Sequence, residues 1–181
     1  MTARRIAVIG SPGCGKSYLA SRIAEYLGLP LIRLDDEYWH AGWARTRADT
    51  WDRRVRELAG ADRWVIDGNY GATLAVRVRA ADLVVFVDRP TWPCLLTVLR
   101  RIGRWVVGHR VGLPARVATG ARIVPPAGDL VRFLWLVASF RRRVRPTMSR
   151  LLAAPDAAPC VRLTSRADVN TFLRQTRMVR S

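Results

Sequence analysis

The sequence predicts a single α/β domain, residues 1–181, built around a parallel β-sheet. Short apolar segments rich in β-branched residues alternate with segments whose apolar residues recur at helical spacing, a pattern typical of parallel strands joined by right-handed helical crossovers. A glycine-rich loop joins the first predicted strand to the first predicted helix. Half of the residues are hydrophobic, so the chain can bury one full core and is not expected to be disordered.

Five short segments are predicted to be strands of this sheet. Their apolar residues run almost continuously, as expected for strands that helices cover on both faces. The predicted strands are Arg5–Ile9, Leu31–Leu34, Trp64–Ile66, Leu83–Val87 and Val161–Leu163.

Five longer segments carry apolar residues at helical spacing and are predicted to be helices. The predicted helices are Lys16–Leu27, Asp49–Leu58, Thr91–Val107, Asp129–Arg145 and Arg166–Arg177. Gly28 and Pro30 end the first of them, and Pro146 stops or kinks the fourth. The intervening residues 108–128 are rich in glycine and proline, which predicts a lid or loop insertion.

The loop G-S-P-G-C-G-K-S fits the pattern G-x-x-x-x-G-K-[ST] and lies between a strand and a helix, as a phosphate-binding loop must. Backbone N–H groups in such a loop surround phosphate oxygens, a lysine contacts the β- and γ-phosphates, and a hydroxyl ligates Mg²⁺. We therefore predict that this loop binds ATP and Mg²⁺, with Lys16 also catalytic, Ser17 a metal ligand and Cys14 a small filler. The predicted nucleotide-binding residues are Gly10, Ser11, Pro12, Gly13, Cys14, Gly15, Lys16 and Ser17.

Acidic residues follow three of the predicted strands, at the sheet edge where ligands bind in parallel sheets. Asp67 is predicted to hold Mg²⁺ through water, although D-G is also a common turn pair. Asp35 is predicted to accept a proton from the acceptor hydroxyl or to orient that group. A helix cap or a solvated pair is the alternative for Asp35 and Asp36, and the sequence leaves open which of the two faces the acceptor.

The net charge of +17 predicts that the surface attracts polyanions. Residues 97–150 contain twelve arginines and a single acid, Asp129. Arg101 and Arg104, and then Arg142, are the arginines predicted to neutralise charge during phosphoryl transfer; a solvated cationic face is the alternative for each. Nucleic acid is a further candidate partner, but the sequence contains no base-reading motif.

Tyr38, Trp39 and Trp43 follow the Asp35 segment. These rings are predicted either to stack against a ring of a substrate or to form the core of a small acceptor subdomain. The sequence leaves both interpretations open.

Three cysteines without metal-binding spacing indicate a reduced, cytoplasmic protein. No apolar run approaches the roughly 20 residues that a membrane span needs, so no membrane-spanning segment is expected. The oligomeric state cannot be predicted from the sequence.

The order of several segments resembles the DNA topology modulation proteins, which are small adenylate-kinase-like P-loop proteins. The likeness spans nearly the whole chain, and its most specific parts are L-D-D-E-Y-W-H-A-G-W and W-V-I-D-G-N-Y. The resemblance implies a three-layer P-loop NTPase fold with a five-stranded parallel sheet in the order 2-3-1-4-5. It also implies that residues 10–17 and Asp67 bind ATP and Mg²⁺, and that Asp35 lies in the acceptor region. The apolar stretch Val106–Ala127 departs from an adenylate-kinase-type lid.

The function predicted from these features is an ATP-dependent phosphotransferase that acts on an unidentified small-molecule acceptor. The alternatives are a DNA-associated NTPase and a nucleotide-binding protein without turnover.

Overall fold

The computed structural model describes residues 3–178 and has the α/β architecture that the sequence predicts. Five parallel strands form one sheet in the order β2-β3-β1-β4-β5, as the resemblance implies. The strands are β1 (Arg5–Gly10), β2 (Leu31–Arg33), β3 (Trp64–Asp67), β4 (Leu83–Val87) and β5 (Cys160–Leu163).

Helices connect and cover these strands, and two 3₁₀ turns, Ala41–Trp43 and Gly71–Thr73, lie near the carboxyl edge of the sheet. The helices are α1 (Lys16–Leu27), α2 (Leu34–Tyr38), α3 (Ala48–Ala59), α4 (Leu74–Ala80), α5 (Thr91–Val106), α6 (Ala115–Ala118), α7 (Ala127–Arg143), α8 (Arg145–Leu152) and α9 (Arg166–Met178). Within residues 3–178, no helix is long and apolar enough to cross a lipid bilayer.

Four of these helices, α2, α4, α6 and α8, were not predicted from the sequence. Leu34, predicted as the last residue of a strand, instead begins α2 and is fully buried. The prediction that Pro146 interrupts the helix is correct: α7 ends at Arg143, and Pro146 lies in the first turn of α8, where its missing N–H is not needed.

Both faces of the sheet are buried, which makes the domain three layers thick. Along β1, Ile6 and Val8 pack into a cluster that includes residues of α1, α5 and α9, whereas Ala7 and Ile9 pack into a cluster that includes residues of α3, α4 and α8. The continuous apolar pattern of β1 follows from this, because alternate side chains point to opposite faces and both faces are covered. This rigid central strand ends at Gly10, where the phosphate-binding loop begins.

Candidate functional site

The phosphate-binding loop lies between the end of β1 and the start of α1. Gly13 has φ 81°, and a Cβ atom there would lie 2.3 Å from the backbone oxygen of Cys94 on α5, so only glycine fits. Gly15 caps α1, whose first turn has neither an acidic residue nor a side chain hydrogen-bonded to the cap. The first N–H groups of α1, together with the Lys16 ammonium, are therefore suited to bind phosphate oxygens.

Cys14 is buried in this loop, and burial raises the pKa of its thiol to about 11 against the opposing charge of Lys16. A thiol that stays protonated at neutral pH is a poor nucleophile. The structure thus supports the interpretation of Cys14 as a filler.

Asp67 ends β3, beside Val8 of β1, and only 6% of its surface is exposed. Burial raises the pKa of its carboxyl group, while the charge of Lys16 and a hydrogen bond from the Ser17 hydroxyl act in the opposite direction. Among the described residues, its Oδ1 atom has no hydrogen-bond partner. A buried carboxylate with a free oxygen beside a hydroxyl fits the oxygen ligands that Mg²⁺ requires, so Ser17 and Asp67 are suited to hold the ion.

We expect Asp67→Asn to abolish Mg²⁺-dependent ATP turnover without lowering the free energy of unfolding at neutral pH. Because the folded-state pKa of Asp67 is raised, its carboxylate is destabilising above that pKa, and an amide avoids this cost. The cost disappears as the pH falls through the raised pKa, since the wild-type carboxyl then takes up a proton. The stability difference between variant and wild type should therefore shrink on acidification.

Urea denaturation of both proteins across the neutral to acidic range measures this difference. Asp62→Asn, at an exposed position of the same segment, is the matched control. An Asp67→Asn variant that is clearly less stable than the wild type at neutral pH would contradict the prediction.

The residues after Asp67 connect the phosphate-binding loop to Asp35. The side chain of Asn69 accepts a hydrogen bond from the backbone N–H of Gly10 at 2.9 Å and donates one to the Gly10 carbonyl oxygen. The next residue, Tyr70, donates from its hydroxyl to Oδ1 of Asp35 at 2.7 Å. Two adjacent side chains thus fix the position of Asp35 relative to the first residue of the loop.

Arg77, on α4, holds the backbone of this connecting segment through hydrogen bonds. Its side chain is completely buried and donates to the backbone oxygens of Gly68 (2.7 Å), Asn69 and Tyr70 (3.3 Å). Burial lowers the pKa of its guanidinium to about 10. Tyr70 itself adopts φ 37°, which is uncommon for a residue with a side chain.

Sequence reasoning missed the roles of Asn69, Tyr70 and Arg77. The family resemblance of the segment D-G-N-Y does not predict the hydrogen bonds that Asn69 and Tyr70 make. The available signal for Arg77 was its place in L-A-V-R-V-R, three residues after Leu74 and therefore on the same apolar side of the helix.

The structure distinguishes the two adjacent carboxylates that the sequence left open. Asp35 lines a cavity and is held by Tyr70. Asp36 instead accepts a hydrogen bond from the backbone N–H of Ala115, at the start of α6, at 2.6 Å. Asp36 therefore attaches residues 108–128 to α2, and of the two carboxylates only Asp35 lines the cavity.

The cavity beside Asp35 has a volume of about 110 Å³ and is mainly apolar. Four aromatic side chains from three parts of the chain form its walls: Trp39, Trp43, Trp105 and Phe133. Residues 108–128 also contribute lining residues, among them Pro114 and Pro125. Trp39 and Trp43 thus face a cavity, and Trp43 also packs against the buried core. Tyr38 lies outside the cavity lining and packs against Trp51 and Tyr70.

The three predicted catalytic arginines occupy different environments. Arg101 lines the cavity together with Asp35, whereas Arg104 and Arg142 are exposed and outside the cavity lining. Two further arginines, Arg89 and Arg141, lie near Cys94, whose backbone oxygen is close to Gly13 of the loop. Burial raises the pKa of the Cys94 thiol, and the charges of these two arginines act in the opposite direction. Both are additional candidates for contacts with phosphate.

Comparison with solved structures identifies proteins of the same fold. Shikimate kinase from Acinetobacter baumannii, in complex with shikimate, matches 98% of this chain and 93% of its own, with a TM-score of 0.58 and 16% identity. A proposed kinase from Chloroflexus aurantiacus matches 98% of both chains with a TM-score of 0.56 and 17% identity. Shikimate kinase from Bacteroides thetaiotaomicron matches 98% of both chains with a TM-score of 0.53 and 16% identity.

Neither a scan of protein-family models nor a search of curated proteins found a match to the chain. At 16–17% identity the structural likeness establishes the fold and no more. Together with the strand order and the phosphate-binding loop, it shows that this chain has the α/β P-loop NTPase fold also found in kinases.

Proposed function

We propose that the protein is an ATP-dependent phosphotransferase that transfers a phosphoryl group to a hydroxyl of a small molecule. The observation that carries this proposal is the hydrogen-bonded connection from Gly10 through Asn69 and Tyr70 to Asp35. A protein that only binds nucleotide has no need for a carboxylate held rigidly relative to its phosphate-binding loop. The kinase fold of the structural neighbours supports the same reaction class.

In this proposal Mg·ATP supplies the phosphoryl group, and its metal ion neutralises negative charge on the phosphates. The N–H groups of the loop and the Lys16 ammonium bind the phosphate oxygens, while Ser17 and Asp67 hold the metal. Asp35 accepts the proton of the acceptor hydroxyl as its oxygen forms a bond to the γ-phosphorus and the bond to the β-phosphate oxygen breaks. The products are the phosphorylated acceptor and ADP.

A DNA-associated NTPase is the second candidate, and the net charge of +17 is the observation that favours it. A basic surface without a base-reading motif would bind DNA in a salt-dependent and sequence-independent way. In that case DNA should stimulate ATP turnover. DNA that binds without changing turnover indicates contact by charge alone.

The test is ATP consumption by the full chain in the presence of a panel of small alcohols, with and without Mg²⁺ and with and without duplex DNA. The proposal predicts Mg²⁺-dependent consumption that requires an alcohol and is independent of DNA. A strict requirement for DNA would overturn it in favour of the second candidate. ATP binding without turnover across the panel would indicate a nucleotide-binding protein.

A further inference from the structure

Two side chains that line the cavity beside Asp35 each carry a buried hydrogen-bond donor that the protein leaves without a partner. Among the described residues, neither Nε of Arg101 nor Nε1 of Trp43 has a hydrogen-bond acceptor. Both side chains line the cavity. Buried donors are almost always paired, because an unpaired one forfeits its hydrogen bonds to water. Unpaired donors on two side chains that line one cavity therefore favour a ligand that carries an acceptor group.

Arg101 also lacks an opposite charge at ion-pair distance in the described part of the chain. Its guanidinium lies 5.0 Å from the ring centre of Trp105 and 5.9 Å from that of Phe133. Burial lowers its pKa, and the nearby charge of Asp35 opposes this effect. A largely buried cation held by aromatic rings alone is energetically incomplete, and an anionic ligand would complete it.

The two acids that line the cavity do not fill this need. Asp129 forms an ion pair with Arg45 at 2.5 Å, and Arg45 in turn lies over the ring of Trp39. Asp35 is exposed and accepts from Tyr70. Neither acid thus forms an ion pair with Arg101, although the charge of Asp35 acts on it from a distance.

The size of the cavity limits what can enter it. Its volume of about 110 Å³ is close to that of an engineered cavity of roughly 150 Å³ that accommodates benzene. Pockets for larger ligands typically measure about 300–1,000 Å³. The enclosed space is therefore nearer the size of a single ring than that of the base and ribose of a nucleoside monophosphate.

We propose that the cavity binds an acceptor consisting of one apolar or aromatic ring with a carboxylate and a hydroxyl, and this proposal rests on the phosphotransferase function proposed above. The carboxylate accepts hydrogen bonds from Arg101 and Trp43. The ring packs between the aromatic walls, and the hydroxyl faces Asp35 at the rim. A sugar-like ring is disfavoured because these walls offer few partners for several hydroxyls.

An aromatic cavity with acidic residues can also bind a quaternary ammonium group. Here Arg101 already occupies the position of the cation, since it stacks on Trp105 and Phe133. A second cation would be repelled, so choline serves as the probe for this alternative.

The test measures binding by titration calorimetry and by fluorescence of the cavity tryptophans, neither of which needs ATP. The probe is 4-(hydroxymethyl)benzoate, compared with benzyl alcohol, which lacks the carboxylate, and with shikimate, AMP and choline. We expect the benzoate to bind most tightly. Arg101→Gln should weaken its binding about tenfold or more, and Trp43→Phe by a smaller factor, whereas Arg101→Gln should weaken benzyl alcohol binding by much less than it weakens benzoate binding.

Arg100→Gln, an exposed arginine on the same helix, is the matched control and should have no effect. Arg101→Lys retains the charge and should preserve part of the affinity, which separates loss of the anion contact from loss of folding. Tighter binding of choline, AMP or shikimate, equal binding of benzyl alcohol, or an equal effect of Arg100→Gln would overturn the inference.

The failure of this inference and that of the phosphotransferase proposal can be told apart. Tight binding of the benzoate with no phosphoryl transfer from Mg·ATP to any alcohol supports this site and overturns the proposed reaction. Mg²⁺-dependent transfer to another alcohol, with no binding of the benzoate, overturns the present inference alone.

Discussion

Lys16→Ala is expected to lower kcat/KM for ATP-dependent phosphoryl transfer by about 10²-fold or more. The substitution removes the preorganised positive charge that stabilises the phosphoryl group during transfer. The fold should survive, since Lys16 is only partly buried and lies in a loop whose glycine geometry and Asn69 contact do not involve its side chain. A thermal melt of both proteins checks this expectation, and steady-state kinetics measures the loss.

The composition of the chain allows a second and independent measurement at this residue. Lys16 is the only lysine among 31 lysine and arginine residues. An amine-acylating reagent should therefore modify Lys16 and, apart from it, only the N-terminal amine. Mg·ATP should protect Lys16 and leave the N-terminal amine reactive, as peptide mass spectrometry can determine. Equal modification of Lys16 with and without Mg·ATP would contradict its assignment to the nucleotide site.

Asp35→Asn is expected to lower kcat by about 10²–10⁴-fold while the affinity for Mg·ATP stays near that of the wild type. An amide keeps the size of the side chain and can still accept from Tyr70, but it cannot take the proton of the acceptor hydroxyl. Single-turnover kinetics combined with equilibrium ATP binding separates the two quantities. Unchanged turnover would refute the role of Asp35, whatever the acceptor is.

Asp36→Asn is the matched control for this experiment. Asp36 is the adjacent residue on α2, but its carboxylate accepts from the N–H of Ala115, and an asparagine oxygen can do the same. Its effect on kcat should therefore be small. Tyr70→Phe should fall between the two variants, since it keeps the Asp35 carboxylate and removes only the hydrogen bond that positions it.

The features that sequence predicted correctly depend on consecutive residues. The strand-loop-helix from β1 to α1 was predicted because turn geometry, buried strand and helix are each encoded locally. The order of the five strands came from the family resemblance, and the sheet confirms it. The helices that were missed, α2, α4, α6 and α8, have eight residues or fewer, and so short a segment carries little periodicity.

The candidate site was predictable only in part, because most of its pairings join distant segments. The distinction between Asp35 and Asp36 follows from their positions on α2, since successive helical residues point about 100° apart and only the packing of that helix decides which one faces the cavity. The sequence alone does not distinguish Arg101 from Arg104 and Arg142, because the chain is rich in arginine. Burial against Trp105 and Phe133 separates the first from the others.

The sequence by itself determined the phosphate-binding loop with its single lysine, the acids at the strand ends and the class of fold. The tertiary structure alone decided which carboxylate meets the cavity, which arginine lies within it, and how Asn69 and Tyr70 join the loop to Asp35. The physical reason is how far apart in sequence the groups of each site lie. A loop that binds phosphate is made by adjacent backbone N–H groups. An acceptor site is made by side chains that only the packed sheet and helices bring together.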